Sequence, residues 1–181
     1  LVAKAFDRDV DLRKAGSGNI GATNVARTLG RGAGILTLAL DAGKGIFALA
    51  LARQLLDPSA HHWLALVGGA VFLGHVFPVY LRFKGGKGVA TALGVVLFLS
   101  PETAFVIVVL FAAVLYFTRY VSLASLCAAA GLPVVMAFLG KSRHYVTLAL
   151  LMGFLVIYTH RENIHRLLAG QEGKFGAPRK E

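Results

Sequence analysis

The chain has 181 residues, of which 56% are hydrophobic and only 15% are charged, and its formal net charge is +10 at pH 7. Soluble globular domains carry roughly 45 to 50% apolar and about 25% charged residues, so this composition excludes an ordinary soluble domain and indicates an integral membrane protein. The basic residues lie between apolar runs and not on one amphipathic face. That pattern is typical of membrane loops and argues against a nucleic-acid partner.

A polar stretch, residues 1–32, precedes six apolar runs, and together they predict one all-α domain, a bundle of transmembrane helices over residues 1–181. The runs are 33–52, 63–80, 88–100, 103–117, 121–139 and 145–159. A membrane helix needs about 20 apolar residues, so the third and fourth runs are short. They form either one long helix broken at Ser100 and Pro101 or two spans joined by a tight hairpin. The polar residues from about 171 to 181 predict a flexible tail.

The distribution of basic residues favours the hairpin. With six spans, the loops on one side of the membrane carry 15 Lys and Arg residues and the loops on the other side carry 3. A single merged helix changes the distribution to 11 against 7. Cytoplasmic loops carry the excess of Lys and Arg. The sequence therefore predicts six spans with both chain ends in the cytoplasm, together with residues 81–87 and 118–120.

A glycine-rich, basic turn lies within residues 77–91, which read FPVYLRFKGGKGVAT. Glycines allow backbone N–H groups to approach an anion closely, and lysines supply charge. The turn also opens a predicted helix, whose N-terminus favours negative charge. We expect a phosphate site here, and the alternative is a basic loop that only sets topology. The candidate binding residues are Lys84, Gly85, Gly86, Lys87 and Gly88. The spacing does not fit a Walker loop, so no nucleotide is implied.

A second candidate segment is residues 16–28, GSGNIGATNVART. Its glycine spacing is that of a dinucleotide-binding fingerprint, but no strand precedes it, and that reading is excluded. What remains is a loop of small and polar residues suited to a polar ligand, with Ser17, Gly18, Asn19 and Arg27 as candidates. The alternative is a surface loop rich in turn-forming residues.

Two charged residues, Asp41 and Lys44, lie within the first apolar run. Charges in a membrane span are costly, and their i, i+3 spacing allows them to pair on one helix face. We interpret them as a structural ion pair, with a role in a polar cavity as the alternative.

The segment after the last run reads YTHRENIHRLLAG over residues 158–170. His160 could act as a base or bind an oxyanion, and Asn163 lies on the same helix face at i+3. The alternative is that His160 is an interfacial bystander. His165 is interpreted as a surface residue.

Taken together, GSGNIGATNVART, GHVFPVYLRFKGGKGVATALG, RYVSLAS and YTHRENIHRLLAG closely resemble the PlsY family of bacterial membrane glycerol-3-phosphate acyltransferases, over residues 11 to 170. The resemblance implies transfer of the acyl group of acyl phosphate to the 1-hydroxyl of sn-glycerol 3-phosphate, which releases phosphate and lysophosphatidate. It also implies a bacterial plasma membrane protein whose site faces the cytoplasm. That family has seven spans, so the chain resembles a member whose first span is missing.

The resemblance assigns roles to the candidate residues. Ser17 and Arg27 match important positions of the first motif, and His160 and Asn163 match an essential pair, all four interpreted as catalytic. Glu162 matches a position with a structural role. The glycine-rich turn matches the glycerol-phosphate site.

The chemistry of an acyl phosphate needs no protein nucleophile, because the donor is already activated. The protein must bind two anions, orient the hydroxyl and stabilise an oxyanion. Either His160 or a substrate phosphate could take the hydroxyl proton. Neither a cofactor nor a metal is implied, and the expected partners are the two substrates and membrane lipid, with no obligate protein partner. The alternative function is a transporter of a phosphorylated metabolite, for which repeated halves would be typical, and none is seen.

Overall fold

The computed structural model describes residue 6 and residues 10–57 and 60–176. Within those residues the chain forms α-helices and no strand. From residue 10 onward there are eight α-helices: α1 Ala22–Leu29, α2 Arg31–Leu55, α3 His61–Val76, α4 Val89–Leu99, α5 Pro101–Thr118, α6 Val121–Phe138, α7 Arg143–Thr159 and α8 Arg161–Leu168. Each predicted apolar run is thus a helix. The 3-10 helix Val79–Leu81 follows α3, and α1 lies inside the stretch that was expected to be a loop.

The outer surface of the bundle is apolar. Phe105, Phe117 and Phe138 expose 70%, 81% and 89% of their areas, which suits hydrocarbon better than water. Among the described residues, four segments are long and apolar enough to cross a membrane, namely α2, His61–Leu81, α5 and α6. The helices α4 and α7 are apolar but shorter.

The third and fourth apolar runs form two helices and not one. Ser100 has an extended backbone, and its side chain accepts a hydrogen bond from the N–H of Thr103 at the start of α5, where Pro101 is the first residue. In a single helix Val89 and Phe111 would lie about 33 Å apart. They line the same cavity instead. The two helices are therefore antiparallel.

The glycine-rich turn explains why α4 is short. The N–H groups of Gly85 and Gly86 donate to the carbonyls of Val76 and His75 at 3.1 and 3.2 Å. The chain thus returns to the level of the last turn of α3 before α4 begins. With 11 residues, α4 rises about 16 Å, roughly half of a hydrocarbon core. A polar cavity occupies the space beside its first turn.

One core holds the six helices α2 to α7 together. Its fully buried side chains include Leu49, Phe72, Val95, Met136 and Met152.

The helices α2 and α4 approach closely at Gly94, where a Cβ would lie 2.0 Å from the carbonyl oxygen of Ala42. Small residues allow such backbone contact between membrane helices. A second cluster, Leu12, Val25 and Ala33, holds α1 against α2.

Candidate active site

A polar cavity of about 470 Å³ lies at one end of the bundle. Four helices, α1, α4, α6 and α8, begin at this end and contribute residues of their first turns to its wall. Helix N-termini present unpaired N–H groups and the positive end of the helix dipole, so this arrangement favours an anion. The predicted site residues that line the cavity are Ser17, Asn19, Arg27, Asp41, Lys87, Gly88, His160 and Asn163. Those that do not are Gly18, Lys44, Lys84, Gly85, Gly86 and Glu162.

Asn24 organises the first loop. It is buried, and its amide nitrogen lies 3.2, 3.0 and 2.8 Å from the carbonyl oxygens of Leu12, Ala15 and Asn19. Its side-chain oxygen accepts a hydrogen bond from the N–H of Ser17 at 2.8 Å. The loop is thereby fixed with the exposed Ser17 at the cavity. In the sequence Asn24 was only one of several polar residues, because no spacing marks a buried organising amide.

The structure corrects one expectation about the glycine-rich turn. The N–H groups of Gly85 and Gly86 bind carbonyls of α3 and are therefore not free to face a phosphate. Gly86 is needed for close contact, because a Cβ there would lie 2.3 Å from Nε2 of His75. Lys84 is exposed, away from the cavity. Lys87 and Gly88 are the two residues of the turn that reach it.

His160 lies at the junction of α7 and α8 and is 3% exposed. Its Nδ1 lies 2.8 Å from the carbonyl oxygen of Val156. A carbonyl only accepts, so Nδ1 carries the proton and Nε2 is left as the acceptor in the neutral ring. Burial and the nearby Lys87 ammonium lower the pKa of His160 to about 4. At neutral pH the ring can therefore accept a hydrogen bond from a hydroxyl group.

A chain of polar contacts links Lys87 to Arg166. The Lys87 ammonium donates to the side-chain oxygen of Asn163, whose amide nitrogen donates to Glu172 at 2.6 Å. The second oxygen of Glu172 accepts from Nε of Arg166 at 2.7 Å. These contacts fix the orientation of the Asn163 amide. Burial, with a smaller contribution from the positive charge of Arg166, lowers the pKa of Lys87 to about 8.

Glu172 was missed by the sequence analysis, which placed it in a flexible tail. Burial alone would raise the pKa of its carboxyl group, but the hydrogen bonds from Asn163 and Arg166 outweigh that effect and lower it. The N–H of Phe175 also donates to the carbonyl of Arg119 at 2.7 Å. Residues 171–173 thus line the polar cavity. Residues 177–181 lie outside the described residues, and the flexible tail stays a prediction. Glu162, assigned a structural role, is exposed.

The ion pair expected in the first apolar run is present. Lys44 Nζ lies 2.6 Å from Oδ1 of Asp41 and 2.5 Å from Nδ1 of His75. The third member, His75, was not expected. It lies in the last turn of α3, and both Asp41 and His75 line the polar cavity. The pair is therefore level with the glycine-rich turn and not in the middle of the bundle.

A second, larger cavity of about 820 Å³ adjoins the polar one. Its wall is mostly aliphatic and aromatic and runs along α4, α5, α6 and α7. The two cavities share Ala22, Thr23, Arg27, Leu38, Val89, Ala90, Phe111, Val121 and Ser125 as lining residues. A molecule with an anionic group and an apolar chain could occupy both at once.

Comparisons with known proteins show a family relationship. The model of the glycerol-3-phosphate acyltransferase family matches residues 1–170. A glycerol-3-phosphate acyltransferase of Geotalea daltonii is 50% identical over 175 residues, which cover 97% of this chain and 88% of that protein. One from Dinoroseobacter shibae is 48% identical over 180 residues, 99% of this chain and 86% of that protein.

Two solved structures of PlsY (YgiH), an integral membrane glycerol 3-phosphate acyltransferase, are also similar. Its glycerol 3-phosphate form has a TM-score of 0.90 and 42% sequence identity, over 97% of this chain and 88% of that one. Its lysophosphatidic acid form has a TM-score of 0.83 and 43% identity, over 88% and 81%.

Proposed function

This chain belongs to the glycerol-3-phosphate acyltransferase family, and we propose that it transfers the acyl group of an acyl phosphate to the 1-hydroxyl of sn-glycerol 3-phosphate. The products are 1-acyl-glycerol 3-phosphate and inorganic phosphate, and the reaction is an early step of phospholipid synthesis. The whole chain acts as one catalytic domain.

The observation that carries the proposal is the junction of the two cavities. The polar cavity offers Lys87, Arg27 and helix N-termini to phosphate groups, and the apolar cavity beside it offers room for an acyl chain. A donor that combines an acyl chain with a phosphate matches both. A thioester donor would leave the cationic wall without a second phosphate at the reacting centre.

The reaction can proceed by direct transfer. The 1-hydroxyl oxygen attacks the carbonyl carbon of the acyl phosphate, and the bond from that carbon to the phosphate oxygen breaks. Nε2 of His160 accepts the hydroxyl hydrogen bond, and the proton passes to His160 or to a substrate phosphate. Lys87, held by Asn163, stabilises the negative charge that develops. Ser17 contributes a hydroxyl that binds a ligand and does not act as a nucleophile.

An assay of the purified protein with acyl phosphate and glycerol 3-phosphate tests the proposal. We expect lysophosphatidate and phosphate in equal amounts, and initial-rate plots that intersect because both substrates occupy the site together. Ping-pong kinetics, or an acyl group trapped on the protein and lost in Ser17→Ala, would contradict direct transfer. Uptake of glycerol 3-phosphate into proteoliposomes without acylation would favour a transporter.

The orientation in the membrane belongs to the same proposal. Six spans, with the polar cavity on the cytoplasmic side of the bacterial plasma membrane, follow from the 15 to 3 distribution of basic residues. An impermeant thiol reagent applied to intact cells should leave an introduced His165→Cys unlabelled. Ready labelling from outside would reverse the topology.

A further inference from the structure

One carboxylate in the polar cavity has no role in the reaction as described. Of the described residues, the carboxylates that line this cavity are Asp41 and Glu172. Glu172 is engaged by Asn163 and Arg166 through both of its oxygens. Asp41 is held differently, because its contacts with Lys44 and His75 both involve Oδ1.

The contacts of Asp41 pair its carboxylate with a cation and leave one oxygen outside that pair. Oδ1 lies 2.6 Å from Nζ of Lys44 and 3.5 Å from Nδ1 of His75. Lys44 does not line the cavity and binds the carboxylate from outside it. Oδ2 takes part in neither contact, and the Asp41 side chain is 19% exposed. The cavity wall therefore carries a fixed acceptor with unused hydrogen-bonding capacity.

The charge of Asp41 restricts what can lie beside it. A phosphate group would be repelled, and the cationic side chains Arg27, Lys87 and Arg166 on the same cavity wall attract it elsewhere. A neutral donor such as an alcohol hydroxyl can approach a carboxylate and form a charge-assisted hydrogen bond. Asp41 thus suits the part of a substrate that carries a hydroxyl and no charge.

Glycerol 3-phosphate has two hydroxyls, and the proposed function uses only one of them. The 1-hydroxyl reacts and faces His160, whereas the 2-hydroxyl still needs a partner. We propose that Asp41, supported by Lys44, accepts a hydrogen bond from the 2-hydroxyl and so selects the acceptor substrate. This inference rests on the proposed function.

The stereochemistry of the substrate gives this contact a consequence. The 2-hydroxyl is on the only stereocentre of glycerol 3-phosphate, and a site distinguishes enantiomers when it contacts three groups around that centre. The phosphate, the 1-hydroxyl and the 2-hydroxyl are those groups. Without Asp41, two contacts remain, and the two enantiomers should react with similar kcat/KM values.

The test compares two acceptors, glycerol 3-phosphate and 3-hydroxypropyl phosphate, which lacks the 2-hydroxyl, on the wild type and on Asp41→Asn. We expect the wild type to prefer glycerol 3-phosphate by roughly 10- to 150-fold in kcat/KM, the range for one hydrogen bond to a charged group. In Asp41→Asn the preference should fall towards one, mainly through loss of activity on glycerol 3-phosphate. Preference over sn-glycerol 1-phosphate should fall in parallel.

The matched control is Glu102→Gln, the same change of a carboxylate to an amide at an exposed position far from the cavity. It should keep the wild-type preference. If Asp41→Asn does not fold, Asp41→Glu moves the carboxylate while keeping its charge, and the preference should again decrease.

Equal losses on both acceptors would mean that Asp41 is only a structural ion-pair partner, and they would overturn the inference. An unchanged preference in a folded, active variant would do the same. If the wild type acylates neither acceptor, the proposed function itself fails, which is a different result from a loss of selectivity.

Discussion

The two ends of the helix bundle contain similar residues in different surroundings. At the end with the polar cavity, His160 is buried and Lys87 is partly buried, and their polar contacts converge from separate parts of the chain. At the opposite end, Lys141 pairs with Glu102 at 3.0 Å, but Glu102 is 63% exposed. Burial at the first end lowers the pKa values of Lys87 and His160, whereas the second end leaves Glu102 in contact with solvent.

This difference supports the proposal that the chemistry takes place at the end with the polar cavity. Burial disfavours charge, so the pKa values of Lys87 and His160 fall to about 8 and about 4. Such shifts are frequent at functional sites because a partly desolvated charge interacts strongly with a ligand. An exposed ion pair is screened by water and contributes little. Substitutions at the two ends should therefore differ widely in effect.

The largest effect is expected for His160→Ala. Loss of the neutral imidazole removes the acceptor for the reacting hydroxyl, so turnover should fall by roughly 10²- to 10⁴-fold if His160 takes the proton. His165→Ala is the matched control, since His165 is exposed on α8, the helix that begins directly after His160. The kcat values of the two variants and the wild type test this role of His160. A loss well below this range would assign the proton to a substrate phosphate.

The second-largest effect is expected in the KM for glycerol 3-phosphate, and it should differ between the two lysines of the glycine-rich turn. Lys87→Ala should raise the KM for glycerol 3-phosphate by roughly 10- to 150-fold, because a charge-assisted contact is lost. Lys84→Ala should change it little, because Lys84 is exposed away from the cavity. Steady-state kinetics on both variants test the assignment. Equal increases would show that the basic turn acts only through its overall charge.

A smaller effect should appear in the pH dependence. Only the protonated ammonium attracts phosphate, and burial lowers the pKa of Lys87 from 10.5 to about 8. The value of kcat/KM for glycerol 3-phosphate should therefore fall as the pH rises through about 8, since this ratio reports ionisation of the free enzyme. Lys87→Arg keeps its charge at high pH and should remove this loss. A Lys87→Arg profile that matches the wild type would contradict the assignment.

The smallest effect is expected at the opposite end. Replacing Lys141 by Met breaks the exposed pair with Glu102, and neither activity nor thermal stability should change measurably. A clear loss of activity with normal stability would show that the two ends are coupled and would weaken the comparison.

The sequence by itself determined the class of protein and most of its helices. In a membrane, the backbone N–H and C=O groups of an apolar run must form hydrogen bonds within the segment. The positions of the runs therefore predict helices directly. The motifs also predicted that His160, Asn163, Lys87 and Ser17 belong to one site, although three separate segments of the chain supply them. The short helix α1 was missed, because its amphipathic pattern lies within a glycine-rich polar stretch.

Only the tertiary structure decided which polar groups face the cavity. Gly85, Gly86 and Lys87 are neighbours in sequence, yet the last turn of α3 takes the N–H groups of the two glycines and leaves the lysine to the site. Likewise, Glu172 and not Glu162 contacts Asn163, and His75 joins Asp41 and Lys44 across two helices. Residue types and their spacing determine which ligands a segment could bind. Which groups remain free to bind a substrate depends on the partners that other parts of the chain supply, and those partners meet only in the fold.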